Sequence, residues 1–383
     1  MNIKEIGEIR RRVRRDRSNM TTIYGCYVNA QKEIITLFSQ SVGMMPENEA
    51  EKYFGVMKRT LSGTIGKNLI DVSFQTAQVA NSPEHKLLMD LRNGGLQNEE
   101  TRRAFFEKII ASVSFDDNYV ILIGCDRYDV PFKSKDDETQ QDASGEVYTY
   151  LLCAVCPVKL KKPGLQYIAT EKEFHDGGTI QEVCAPEVGF LFPAFDNRAT
   201  NIYNALLYSH SAKVSQQAFS DAIFHVELPM PAEAQKKSFE ALLTTSLADE
   251  CSLRVVQTVH EQICQQIEIH KESRVVDPLL ISKEEVKTAL KACGVSEPSV
   301  AKFSVNFDET FGNSAELHPK NIINNRSFEI NTPDVSIKVN PECSDLIETR
   351  VIGGVKYIMI CADADIEVNG VSIHIDDEQT VKE

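Results

Sequence analysis

Two cysteines three residues apart, in LLCAVCP (151–157), are the first residues with chemistry to offer. Cys153 and Cys156 could supply half the ligands of a zinc ion or form a redox pair, and both uses need the sulfurs on one side. An apolar run of this kind reads as a strand. There the side-chain period of two turns residues 153 and 156 to opposite faces, with Cα atoms about 10 Å apart, beyond the ~7 Å that a disulfide tolerates. A zinc ribbon also needs a second CxxC or suitably spaced histidines. Cys26, Cys125, Cys184, Cys251, Cys264, Cys293, Cys343 and Cys361 provide neither. Two buried thiols acting as small hydrophobes are expected.

Three further motifs fall short of the chemistry they resemble. HEQIC (260–264) differs by one letter from the HExxH zinc helix, with Cys264 in place of the second histidine. It continues an apolar helical stripe and has no clear third ligand, so core packing is expected. SGTIGKN (62–68) is two residues short of a phosphate loop, and Asn68 stands where the magnesium-binding hydroxyl belongs. DADIEVNG (363–370) alternates acids like a calcium loop, yet Val368 occupies the sixth place, which requires glycine, and His374 the twelfth. These two are expected to be a helix end with a turn, and a strand with a hairpin turn. No metal and no cofactor is expected.

Two clusters of polar residues are harder to dismiss. Asp126 closes the apolar run YVILIGC and Asp129 follows in RYDVP. Carboxylates at the carboxyl ends of strands sit where α/β sheets hold ligands, although a solvated turn is the simpler use. PAFDNRATNIYN sets Asp196, Asn197, Arg198, Thr200, Asn201, Tyr203 and Asn204 beside Phe192 and Phe195. That mixture suits a ligand loop, or a polar network pinning an irregular segment in the core. Were both clusters to meet in one cleft, Asp126, Asp129 and Asp196 could hold a divalent metal or serve as acid and base. Arg198 would then clamp an anion, as in a hydrolase.

A third candidate is electrostatic. In IRRRVRRDR, Arg10, Arg11, Arg12, Arg14, Arg15 and Arg17 face a single acid, Asp16, giving a local +5 within a chain of net charge −15. So acidic a whole repels a phosphate backbone. The arm is expected to lie on the protein's own acidic body or on another copy of it, with nucleic acid as the lesser alternative.

The elements that must position these residues follow from periodicity. Ile3, Ile6, Ile9 and Val13 recur at helical spacing, so the basic arm is an amphipathic helix that needs a dock. TTIYGCYV and EIITLFSQS read as a hairpin, and Pro46 opens a helix. NLIDVSF is a strand. Helices follow after Ser82–Pro83 and through Phe105 to Val113. YVILIGCD and EVYTYLLCAVCPV, almost continuously apolar, belong at the centre of a sheet. The polar KSKDDETQQDASG between them reads as a mobile excursion, and residues 189–211 as aromatic and irregular. Helices are expected around 214–224, 232–248 and 250–271. Another starts at the capping box SKEE, where Ser282 and Glu285 satisfy each other's amides, and a second helical unit packs on it. Beyond an Asn-rich stretch, short strands with IGGV and VNGV turns form a small β module.

A chain of 383 residues, 42% hydrophobic and 25% charged, is globular and long enough for more than one domain. No apolar run approaches the roughly 20 residues needed to cross a bilayer. The first residues carry no secretory signal pattern, which with scattered cysteines points to the cytoplasm.

Several stretches together resemble a known family: IKEIGEIRRRVRRDRSNMTTIYGCYVN, MPENEAEKYFGVMKRTLSGTIGKNLIDVSF, CPVKLKKPGL and EVGFLFPAFDNRATNIYNALLYSHS. They are similar to domain of unknown function 4317, an uncharacterised bacterial family of Firmicutes. The resemblance implies a cytoplasmic bacterial protein without assigned activity, and it brings no catalytic residues.

The expected fold is α+β: a mixed, mainly antiparallel sheet with packed helices, a helical segment, and a small C-terminal antiparallel β module. Expected boundaries are a main domain over 1–272, a helical segment over 273–312, a linker over 313–326 and the β module over 327–383. A non-enzymatic binding or scaffold protein is the favoured function. Its expected partner is another protein or a second copy, met through the Arg helix and the terminal hairpins, with no membrane involved.

Overall fold

The structure is a computed structural model that describes residues 1–133, 139–161, 164–273, 275, 277–313, 315–361, 366–368 and 370–373. Its contacts divide the chain into two compact units, Met1–Gln235 with Val276–Pro278, and Lys236–Val275 with Leu279–Glu383. The boundaries expected at 272 and 312 follow changes in composition. The contacts cut elsewhere, after Gln235.

The first unit begins with α1 (Ile3–Arg12), the hairpin of β1 (Thr22–Val28) and β2 (Ile34–Ser41), α2 (Glu47–Arg59) and β3 (Leu69–Ser73). Three helices follow: α3 (Thr76–Asn81), α4 (Pro83–Asn93) and α5 (Glu99–Ser112). Next come the long strands β4 (Tyr119–Lys133) and β5 (Thr139–Lys161), then β6 (Leu165–Ile168), β7 (Glu173–Asp176) and β8 (Ile180–Val183). The unit closes with β9 (Val188–Phe192), β10 (Ala194–Asp196), β11 (Ala199–Asn201), β12 (Asn204–Ser209), α6 (Gln217–Ile223) and the start of α7 (Ala232–Leu247).

Its sheet runs β2-β1-β4-β5-β9-β12-β3, with β8 alongside β5, and every pair is antiparallel. The two most apolar runs, β4 and β5, lie at its centre. Residues 189–211 are more regular than expected. VGFLF and NALLYS are β9 and β12, and together they carry the sheet from β5 to β3. In the polar stretch expected as an excursion, residues 134–138 lie outside the described residues, while on either side Lys133 pairs with Thr139 in the β4–β5 ladder.

Pleat alternation sorts the side chains into two cores. Ile121, Ile123, Leu151, Cys153, Val155, Phe190 and Leu207 face one way and pack against Leu88, Leu91, Phe105, Phe106, Ile109 and Phe219 of α4, α5 and α6. Val120, Leu122, Leu152, Ala154, Cys156, Leu191 and Leu206 face the other way and pack against Ile6, Ile9 and Val13 of the N-terminal arm and Phe54 and Met57 of α2. Helices therefore cover both faces. The central runs, VILI of β4, LLCAVC of β5 and VGFLF of β9, are accordingly apolar without alternation, a pattern more familiar from parallel sheets, while β2, β3 and β8 carry exposed polar residues.

The second unit holds the rest of α7, then α8 (Leu253–Ser273), β13 (Ile281–Ser282), α9 (Lys283–Ala292), α10 (Glu297–Phe311), β14 (Glu316–Leu317) and α11 (Pro319–Ile322). Phe239, Val259, Ile263, Leu290, Phe303 and Phe307 form its core. The capping box forms as read: the Ser282 amide donates to Glu285 Oε2 at 2.6 Å and the Glu285 amide to Ser282 Oγ at 3.4 Å. The Asn-rich stretch 313–326 is not a free linker. Leu317 pairs with Ile281 in a short ladder, and Ile322 and Ile323 are buried in the same core.

Three separate two-stranded sheets follow: β15 (Phe328–Asn331) with β16 (Ser336–Val339), β17 (Ile347–Ile352) with β18 (Val355–Ile360), and β19 (Ile366–Val368) with β20 (Val371–Ile373). The fold is thus α+β, a main antiparallel sheet with packed helices and small C-terminal strand pairs. No helix among the described residues is long and apolar enough to cross a membrane.

One glycine decides how closely α2 approaches the sheet. A Cβ at Gly189 would stand 2.4 Å from the Cys153 carbonyl oxygen and 2.6 Å from Cγ2 of Thr60, the residue that ends α2. Neither neighbour is the free end of a flexible chain. Gly189→Ala is expected to destabilise the protein by ~1–3 kcal/mol, the usual cost of overpacking, read as a lower midpoint in urea denaturation with an unchanged slope.

Candidate functional site

Most of the polar residues singled out by sequence gather around one element, the N-terminal helix α1. Asn2 caps it: its side chain accepts from the amides of Lys4 and Glu5, while Glu5 Oε2 accepts from the Asn2 amide at 2.8 Å. The apolar stripe Ile6, Ile9 and Val13 then docks on the sheet. The acidic side chains of α1 meet the β10–β11 hairpin, whose two-residue turn is Asn197–Arg198, between the paired Asp196 and Ala199. Both turn residues have positive φ, 50° and 60°, as a tight hairpin turn demands. Asparagine tolerates that conformation. Arginine carries a penalty of roughly 1 kcal/mol there, which its contacts must offset.

Those contacts are with α1. The Asn197 amide donates to Glu5 Oε1 at 2.7 Å, the Arg198 guanidinium donates to Glu8 Oε2, and Arg198 also donates to the Pro131 carbonyl at 2.9 Å. Glu8 Oε1 accepts from the Tyr128 hydroxyl at 2.7 Å. Asp196 accepts from Asn201 Nδ2 at 2.7 Å and lies 2.8 Å from the Met1 amine. Asn201 Oδ1 accepts from the Tyr203 amide at 3.0 Å, while the Tyr203 ring is 43% exposed and joins none of this.

Asp126 sits at the far end of the helix. It is buried, and it does not close its strand, because β4 continues for seven residues to Lys133 through pairing with β5. Its Oδ1 accepts from the amides of Asn19 and Arg127 at 2.7 and 2.8 Å, and its Oδ2 from the Tyr150 hydroxyl at 2.7 Å. Arg12 completes the cluster, 4.0 Å from Asp126 Oδ2 and 4.0 Å above the Tyr128 ring. Asp129, three residues along the pleat, is exposed on the opposite side of the strand. Asp126 and Asp196 therefore do not meet in one cleft. They lie at opposite ends of α1, a helix of roughly 15 Å, Asp196 beside the Met1 amine and Asp126 beside Arg12.

The arginines divide in the same way. Helix α1 ends at Arg12, Val13 caps it, and Arg14–Arg17 form a turn beyond. Arg12 is turned inward, Arg15 is half-buried, and Arg10, Arg11, Arg14 and Arg17 are exposed. Arg14 pairs with Asp16 at 3.0 Å. Arg14 and Arg15 also line a cavity of about 640 Å³ opposite Glu47 and Glu51 of α2, so part of the positive charge is met within the first unit.

The sulfur motifs resolve as packing. Cys153 lies in one core and Cys156 in the other, as the pleat requires. His260 is buried, donating through Nε2 to the Asn324 carbonyl at 2.9 Å, which leaves Nδ1 as acceptor 3.7 Å from the Cys264 sulfur. Burial, reinforced by Glu268 and Glu261, raises the Cys264 thiol pKa, so this is a neutral thiol beside a satisfied core histidine. In SGTIGKN the Gly66 amide donates to the Leu69 carbonyl and Asn68 Nδ2 to Ser209 and His210, so the turn is bonded to its own chain. Of DADIEVNG, residues 363–365 and 369 lie outside the described residues; Ile366–Val368 is a hairpin strand. Among the described residues no three His, Cys, Asp or Glu side chains come together to hold a metal.

Sequence reasoning missed two surfaces. One is a groove of about 680 Å³ in the first unit, lined among others by Lys159, Cys184, Glu187 and His210. The β9–β12 pairing brings it together, the His210 amide donating to the Glu187 carbonyl at 2.9 Å. No spacing motif marks it, and charges of both signs line it. The other is β6–β7, whose Leu165, Tyr167 and Phe174 are 76%, 55% and 65% exposed. The alternation in LQYI and EFHD was the available signal.

One family matches the chain over residues 1–371, described as Domain of unknown function (DUF4317). No curated protein and no solved structure matches it.

Two predictions follow from the geometry. Arg198→Ala is expected to cost about 1–3 kcal/mol, since it leaves Glu8 half-satisfied and keeps the turn. A double-mutant cycle with Glu8→Ala should return a coupling of about 1 kcal/mol, and either variant should expose the Arg10–Arg11 bonds to trypsin faster than wild type. The thiols give the second. Burial pushes Cys26 and Cys156 up to about 12 and Cys125 to about 11, while Cys361 is exposed. A thiol reagent at pH 8 should label Cys361 at once and Cys26, Cys153 and Cys156 only on unfolding. Because the folded values are raised, these thiols favour the native state fully below their ordinary value of 9.0, and that contribution is lost as pH rises toward 12.

Proposed function

The chain belongs to the domain of unknown function 4317 family, and from its geometry we propose that it is a non-enzymatic binding or scaffold protein that meets a protein partner through its C-terminal strands. The observation that carries this is the state of β17 and β18. Val351, Ile352, Val355, Tyr357, Ile358, Met359 and Ile360 are all exposed, between 39% and 68%. Register places Ile352, Val355, Tyr357 and Met359 on one face of the pair and Val351, Ile358 and Ile360 on the other. Arg350 and Glu348, paired with each other at 3.1 Å, stand opposite Tyr357 and Met359, so the apolar residues form a stripe along β18 on each face. Neighbouring exposed apolar side chains of this kind mark an interaction site, whereas single exposed aliphatics need no explanation.

What supports a role without catalysis is the use made of the reactive-looking residues. Asp126, Asp196, Asn197 and Arg198 are engaged with α1 and its neighbours, so a hydrolase built on them would first have to displace the helix. The exposed Arg10, Arg11, Arg14 and Arg17 keep an acidic partner, nucleic acid included, as the lesser reading. It predicts affinity falling steeply with salt.

The test is a quantitative pull-down from native lysate with wild-type bait and with Tyr357→Lys/Met359→Lys bait. Capture of a reproducible protein by wild type, reduced at least about tenfold by the double variant, is expected. Identical capture by both baits, or none by either, would contradict the proposal.

A further inference from the structure

Resting on that reading, we propose that the partner of β18 is a second copy of this chain, joined edge to edge by antiparallel pairing about Ile358. The backbone shows which groups are available. The Cys361 amide donates to the Leu346 carbonyl at 2.8 Å, extending the ladder in which Ile347 pairs with Ile360, and Gly353 and Gly354 close the other end with φ of 58° and 80°. In an antiparallel pair bonded positions alternate. Residues 355, 357, 359 and 361 therefore bond to β17, and the amides and carbonyls of 356, 358 and 360 point outward.

That outward edge lacks the usual protection. Natural edge strands carry proline, bulges or several charges, whereas VKYIMI has one lysine, no proline and a regular register. Its composition is that of a strand flanked on both sides, and a two-stranded hairpin alone is marginal in water. The opposite edge, on β17, is less open: the Ile347 carbonyl, which points outward there, already accepts from Gln257 Nε2 at 3.2 Å.

The edge is also self-complementary. Centring a twofold on Ile358 sets Ile358 against its own copy, Tyr357 against Met359 and Lys356 against Ile360. A sulfur–aromatic contact forms twice, and the two lysines stand about 13 Å apart, beyond the screening length at physiological salt. In a chain of net charge −15, β18 has no acid, so the edge itself sets no carboxylate against a carboxylate of the other copy. A twofold closes on itself, giving one four-stranded sheet and no filament.

The full chain should sediment as a concentration-dependent dimer, and Ile358→Lys should weaken dimerisation at least about tenfold with unchanged circular dichroism. In a Cys361→Ser background, Ile358→Cys should form an intermolecular disulfide on mild oxidation, because a residue on the axis faces itself at a bridgeable distance; Thr349→Cys, on β17, should not. A chain monomeric at every concentration, or equal cross-linking at both positions, overturns the self-pairing. If wild type then still captures a protein that the Tyr357→Lys/Met359→Lys bait loses, the binding reading stands alone. If nothing is captured, both fall.

Discussion

A sheet that is apolar on both faces must be covered twice, and much of this structure depends on how the second cover is held. On one side three helices, α4, α5 and α6, do the work. On the other, α1 shares the task with α2, and α1 has ten residues. A helix of that length is marginal by itself, so its order comes from docking. Ile6, Ile9 and Val13 supply the apolar contact, and polar anchors fix both ends: Asn197 and Arg198 hold Glu5 and Glu8, while Arg12 closes over Tyr128 beside Asp126.

That requirement explains why the chain's most reactive-looking residues are quiet. Buried polar groups are costly unless paired. The docking of α1 brings carboxylates and a guanidinium under cover, and the β10–β11 hairpin and Tyr150 pair them. Tyr148 and Tyr150, fully buried and stacked 4.9 Å apart, are held protonated chiefly by burial, with nearby carboxylates adding to the shift. The second unit presents the opposite case. Its helices bury a core, whereas β17–β18 leaves Val351, Ile352, Val355, Tyr357, Ile358, Met359 and Ile360 in water.

Local rules made parts of this visible in the sequence. The period of two separates Cys153 from Cys156 on sequence alone, and the same rule parts Asp126 from Asp129 once the strand runs through both. Asp is a turn former, and by local rules alone Asp126 reads as the end of its strand; only the ladder to β5 shows that the strand continues. The Ser282 cap and the paired glycines at 353 and 354 were legible for the same local reason. Long-range facts were not. Nothing near Arg12 announces Tyr128, and nothing in the Asn-rich stretch 313–326 says that Leu317, Ile322 and Ile323 reach a core built from residues far away in the chain. VGFLF and NALLYS looked irregular because polar turn residues separate them, and their pairing closes around those turns.

Native-state hydrogen exchange tests most directly whether α1 is an integral cover. If it is, the amides of Asn197 and Asn19, which donate to Glu5 and Asp126, exchange as slowly as those of β4 and β5, at the rate of global unfolding. Exchange of those two amides and of α1 on the timescale of exposed loops, with the sheet still protected, would show a helix resting loosely over a site that could open, and would contradict the account.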